Sequence, residues 1–127
     1  MTAVGELGAV AKRLRRLEKW WRPSEVGGIQ QCLEEADALP ERKAQAREAH
    51  RAAQDELALL RPDGTPNTQS RWRELQGTVT AQAKVLRELD TEESALLTAL
   101  SVELWHARTR GWNEGVARIN ATEATQH

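Results

Sequence analysis

Phenylalanine and tyrosine are missing from this chain, and methionine and cysteine occur once each. With those two aromatics gone and alanine supplying much of the 39% hydrophobic content, there is little to build a thick core from. A thin seam between helices suits such a composition better. The single cysteine, Cys32, has no second thiol to pair with, so no internal disulfide framework exists and nothing marks an oxidising compartment. Charge is nearly balanced at −1, leaving no overall field to draw the protein onto nucleic acid or a membrane. No apolar run approaches the roughly 20 residues of a membrane span, and the N-terminal stretch has no signal-peptide core. The expectation is a soluble, cytoplasmic protein of one domain over residues 1–127, with no cofactor.

What is present is helical periodicity. Trp72, Leu75, Val79, Gln82, Leu86, Leu89, Glu93, Leu96 and Leu100 alternate in steps of three and four, which keeps one narrow stripe on a helix expected over 68–110. A helix of that length, roughly 65 Å at 1.5 Å per residue, is buried only by another long helix alongside it. A first helix is expected over 4–21, with Leu7, Val10, Leu14, Leu17 and Trp21 on its apolar stripe and Pro23 stopping it. Ser24 is the expected N-cap of a second helix over 24–60, with a break or kink near Pro40. Its stripe is Val26, Ile29, Leu33 and Ala36, then Ala46, His50, Ala53, Leu57 and Leu60. Pro62-Asp63-Gly64 supplies turn chemistry between the second and third helices, and Asn67 or Thr68 is placed to cap the latter. Gly111 is expected to end the long helix, leaving 112–127, with Trp112, Val116 and Ile119, as a short helix or a frayed extension, disordered after about Ala121. These elements make an all-α antiparallel helical bundle, a long helical hairpin with coiled-coil-like packing.

Candidate chemistry is sparse. Glu103 and His106 have the E-x-x-H spacing of di-iron bundles, but no second copy accompanies them, so no metal site is assigned. Cys32 has no histidine near it in sequence and reads as a small packed residue. Glu34, Glu35 and Asp37 with Glu92 and Glu93 read as solvated faces, because no phosphate-binding glycine loop accompanies them. No catalytic residue is assigned and the protein is not expected to be an enzyme. Asn120-Ala121-Thr122 matches a glycosylation sequon by chance. The basic run Lys12–Arg22 is expected to pair with the acidic block of Glu25, Glu34, Glu35, Asp37 and Glu41, within the chain or in a dimer.

The five tryptophans, Trp20, Trp21, Trp72, Trp105 and Trp112, are the main bulk available for packing or for a partner. Trp72 is expected to pack near Leu57 and Leu60, where Trp72→Ala would cost about 3–5 kcal/mol. Gln82 and Glu93 interrupt the long seam, where a polar group either fixes register at a cost in stability or marks a place where the seam is open. Leu96, Leu97, Leu100 and Leu104 form the densest leucine patch. Leu97 and Leu104 lie off the Leu96/Leu100 seam, which makes an apolar face wider than one neighbouring helix covers. With Trp105 and Trp112, these leucines are the candidate partner-binding residues. The partner is another protein or a second copy of the chain.

The order of parts resembles the flagellar export chaperones of the FlgN family. Two stretches carry the likeness, QQCLEEADALPERKAQAREAHRAAQDELALL and WRELQGTVTAQAKVLRELDTEESALLTALSVEL. The resemblance implies a cytoplasmic, non-enzymatic chaperone that holds a secretion substrate on its last long helix, with Leu96, Leu97, Leu100 and Leu104 receiving the client. Where family members carry asparagines before the leucine pair, this chain has Asp90-Thr91-Glu92-Glu93. The rival readings are a structural homo-oligomer and a nucleic-acid-associated helical protein using the basic first helix.

The last of these is open to a salt titration. Phosphate binding through Lys12, Arg13, Arg15, Arg16 and Lys19 would fall steeply with salt. The expected result is no DNA or RNA binding above non-specific levels at physiological salt. A salt-sensitive complex lost on charge reversal of these residues would overturn that expectation.

Overall fold

A computed structural model describes residues 3–60 and 65–126. Those residues form three α-helices, α1 (Ala3–Arg16), α2 (Val26–Leu59) and α3 (Pro66–Gln126), and two single 3-10 turns, Glu18–Trp20 and Pro23–Glu25, with no strand among them. The fold is an all-α helical bundle, and no helix among the described residues is long and apolar enough to cross a membrane. Helical contacts divide the chain into two compact units. The described residues within Met1–Asp37 and Glu93–His127 make one, and those within Ala38–Glu92 make the other.

In the first unit, Leu7, Ala11, Leu14 and Trp21 are buried together with Ile29, Leu33 and Ala36 of α2 and Leu96, Leu100, Leu104 and Ala107 of α3. The first helix is shorter than its apolar spacing suggests, ending at Arg16 and not at Trp21. Its last turn tightens: Leu17 N–H donates to Leu14 O at 3.0 Å, and the Trp20 and Trp21 amides donate to Leu17 O and Glu18 O. The tightening aims Trp21 back along α1, and its buried indole N–H donates to Leu14 O at 3.1 Å. Ser24 caps nothing. Pro23 opens a 3-10 turn with Arg22 as its uncapped first residue, because a proline ring already holds the φ that such a turn needs.

In the second unit, residues 38–59 of α2 run antiparallel to residues 66–92 of α3. The register shows in ion pairs whose numbers fall on one helix as they rise on the other: Arg42–Glu92 at 2.8 Å, Lys43–Asp90 at 2.9 Å, and Arg71 Nε to Glu56 at 3.0 Å. Leu39, Ala46 and Ala53 face inward on one side, and Leu75 and Leu89 on the other. Lys43 is also buried, with its stem in the seam and its ammonium reaching the exposed Asp90 carboxylate. Trp72 is 41% exposed. The expected burial of Trp72 near Leu57 and Leu60, and the large cost of removing it, are therefore corrected. One turn further on, Leu75 takes the inward position.

Helix α2 passes Pro40 without a break. Strict heptad spacing from Ala36 would put Pro40 itself in the seam. The structure steps from Ala36 to Leu39 to Lys43 instead, leaving the proline ring on the exposed side, where it displaces no core atom. Helix α3 begins earlier than expected. Thr65 is its N-cap, its hydroxyl accepting the Thr68 amide at 3.4 Å and lying 2.9 Å from the Thr68 hydroxyl, with Pro66 at the first helical position. Neither Asn67 nor Thr68 is the cap. The turn expected at Pro62-Asp63-Gly64 lies outside the described residues.

The far end of α3 departs most from expectation. Gly111 does not end it, and no separate tail helix or early disorder follows, since α3 is continuous to Gln126. A glycine inside a helix costs only about 1 kcal/mol, and here it makes room for another ring. A Cβ at position 111 would meet Trp20 Cε2 and Nε1 at 3.2 Å.

Because Pro40 lacks an amide hydrogen and sits at an exposed position of an unbroken helix, Pro40→Ala is expected to raise stability by about 1–3 kcal/mol in urea unfolding. A lowered midpoint would show that the ring contributes packing that its exposure does not reveal.

Candidate functional site

Periodicity decides which of the candidate residues are available. Along α3 the inward residues are Leu89, Glu93, Leu96, Leu100, Leu104 and Ala107. The steps run four, three, four, four, three. The second consecutive four moves the seam from the heptad position Glu103 to Leu104. A straight α-helix drifts by about 20° per heptad, and this extra residue is how a seam follows it. Leu104 is therefore core, only 7% exposed, and the expectation of Leu104 as surplus surface is corrected. Leu96 and Leu100 are likewise buried, and Leu97 is half-buried against its own unit. The leucine patch is packing rather than an open receiving face.

In the first unit the large exposed apolar side chains, Val102, Trp105, Trp112 and Ile119, lie on the other side of the same helix. Val102, Trp105, Thr109, Trp112, Val116 and Ile119 follow one another in steps of three, four, three, four and three. That is a second stripe, turned away from the first. Trp105 is 65% exposed, Trp112 70% and Ile119 60%, unusual values for side chains of this size. The first part of the stripe opens onto a groove of about 630 Å³, lined on α3 by Trp105, Arg108 and Trp112 and, beyond the end of α1, by Leu17 and Trp20. Lys19 stacks its ammonium over the Trp20 ring at 4.9 Å. Trp105 meets His106 edge to face, with ring centroids 5.4 Å apart.

A second groove shares Leu17 and Arg108 and is walled by Arg13, Arg16 and Leu104. Of the basic run on α1, Arg15 forms a bidentate pair with Asp37, the longer of its two bonds being 3.1 Å. The expected pairing of basic and acidic blocks is thus realised at one position. Glu25 instead faces Arg110 across 3.9 Å. Arg13, Arg16 and Arg108 have no carboxylate within ion-pair distance among the described residues.

Burial first, then the neighbouring Glu35 and Glu103 carboxylates, push the Cys32 thiol up, which disfavours the thiolate a nucleophile needs. Glu103 and His106 find no third partner: no group of three His, Cys, Asp or Glu side chains among the described residues could hold a metal ion. Glu93 is buried in the seam as its spacing suggested, and Gln82 is half-buried there. Of the five carboxylates read as solvated faces, Glu34 and Asp37 are exposed and Glu35 and Glu92 half-buried, while the burial of Glu93 corrects that reading there.

Of the six residues singled out from sequence, Trp105 and Trp112 are open, and they stand together on one groove. Val102, Val116, Ile119, Trp20 and the three arginines were missed. The signal for the first three was present as three-four spacing, but treating Gly111 as a helix end cut the stripe in two. Compared with protein-family models, curated proteins and solved structures, the chain matches none of them.

The two stripes make opposite demands on substitution. Leu104→Ala is expected to cost about 2–5 kcal/mol in chemical unfolding, as for other buried leucines. Trp105→Ala, one residue on, is expected to stay within about 1 kcal/mol of wild type. Equal losses at both positions would show that Trp105 is part of the core.

Proposed function

We propose that this chain is a non-enzymatic binding protein whose outward stripe on α3, from Val102 to Ile119, receives a helical segment of another protein. The observation that carries the reading is the three-four spacing of one helix face on which Val102, Trp105, Trp112 and Ile119 are large, apolar and exposed, with the half-buried Thr109 and Val116 between them. A single exposed leucine needs no explanation, but a heptad stripe is what a second helix packs against. Tryptophan also contributes more than most residues to protein interfaces. Beyond Trp112 most α3 residues are exposed, so this stretch has few neighbours of its own and gains most from being covered. A cytoplasmic holding protein of the export-chaperone kind is the sharpest form of this reading. It places the client on the last long helix, though on the tryptophan side rather than on the leucines.

The test is a double variant, Trp105→Ser with Trp112→Ser. Helicity and thermal midpoint are expected to stay near wild type, because both rings are exposed. A partner that cross-links to the wild-type protein in stoichiometric amount in its own cells is expected to be lost. Retention of that partner by the variant would overturn the assignment of the face. A wild-type dimer in light scattering that the variant disperses would favour self-pairing instead.

A further inference from the structure

The border of the stripe says what chemistry its occupant carries. We infer that the segment docking on α3 is an acidic amphipathic helix, with apolar residues on Trp105 and Trp112 and a row of carboxylates facing Arg13, Arg16 and Arg108. The inference rests on the reading of the outward stripe as a binding face and adds the partner's charge to it. The groove at Trp105 and Trp112 and the groove at Arg13 and Arg16 share Leu17 and Arg108, so a ligand lying in the first has the guanidinium groups of the second along its edge. None of those three arginines has an ion-pair partner among the described residues, whereas Arg15 on the same helix already has Asp37. A guanidinium fork bonds a carboxylate through two parallel hydrogen bonds, and three such forks beside an apolar strip select an acidic flank.

Charge also discriminates against a second copy. The residues flanking the stripe on α3 are Ser101, Arg108 and Gly115 on one side and His106 and Asn113 on the other. Self-pairing would bring these same groups together and offer the arginines no carboxylate. Such a pair forgoes the flanking attraction that sets partner choice between helices. Nucleic acid also carries negative charge, but the groove is walled mainly by indole, leucine and threonine, with its basic groups along one edge. That arrangement suits one row of side chains better than a phosphate backbone needing contacts along its whole length.

The experiment uses the full chain and three fluorescently labelled helical peptides of about 20 residues, long enough to cover the stripe. All carry the same leucine heptads, and their flanking positions are glutamate, glutamine or lysine. Anisotropy at about 150 mM salt is expected to rank glutamate over glutamine by roughly ten-fold, with lysine weaker still. Arg16→Glu with Arg108→Glu is expected to reverse that order, while Trp105→Ser with Trp112→Ser weakens all three peptides alike. Equal binding of the three peptides would overturn the acidic partner and leave the binding face standing. Binding of none would overturn both readings. Displacement of the glutamate peptide by an oligouridine, or by phosphatidylserine vesicles, would overturn the peptide in favour of a phosphate-bearing ligand.

Discussion

Helix α3 carries an inward seam and an outward stripe on one sequence, and the drift of a straight helix against a seven-residue pattern sets the terms. At 3.6 residues per turn, a strict heptad rotates away from its neighbour by about 20° with each repeat. The inward seam corrects for this between Leu96 and Leu104, where two consecutive steps of four bring Ala107 back beneath the core. Without that correction Glu103 would occupy the seam and Leu104 would face its edge. The outward residues from Val102 to Ile119 keep an uncorrected three-four rhythm, so that stripe drifts slowly around the helix.

The two units show what a chain without phenylalanine or tyrosine does for bulk. One uses three helical segments and a tryptophan whose indole N–H is satisfied by a main-chain oxygen. The other has two segments, an alanine-rich seam and a lysine stem in its interior, with ion pairs holding the register. The pairs on the surface contribute little individually, since exposed ion pairs are typically worth under about 1 kcal/mol. Their use is in fixing which residue stands opposite which.

Much of the fold was legible because three-four spacing survives any tertiary context that buries one helix on another. Leu75, Leu89, Leu96 and Leu100 on α3, and Leu7, Leu14 and Trp21 at the start of the chain, take the inward places that their spacing assigns. The errors cluster where local chemistry and packing disagree. Pro40 reads as a break, yet a proline on the exposed side of a packed helix forfeits one hydrogen bond and leaves the seam intact. Gly111 reads as a stop, yet it is the seat of the Trp20 ring. Lys43 was passed over because a charged residue looks like surface, although its four-carbon stem packs as hydrocarbon. The candidate site was half legible: Trp105 and Trp112 stood out by size, but the arginines beside them come from a different helix, and no spacing within one helix reveals a neighbour across a groove.

The tryptophans sit in different surroundings, which gives the molecule an optical consequence. With no tyrosine present, its ultraviolet emission comes from indole alone. Trp21 is sealed in the first unit with its N–H bonded to a carbonyl, and so emits from a fixed, water-poor setting. Trp105 and Trp112 are largely open to water and Trp72 partly so, which sets their emission at longer wavelength. The spectrum of the folded chain is therefore a superposition of a short-wavelength component that follows the integrity of the first unit and a long-wavelength component that follows the covering of exposed faces. A change in one without the other separates loss of fold from gain of a neighbour, with no label added to the chain.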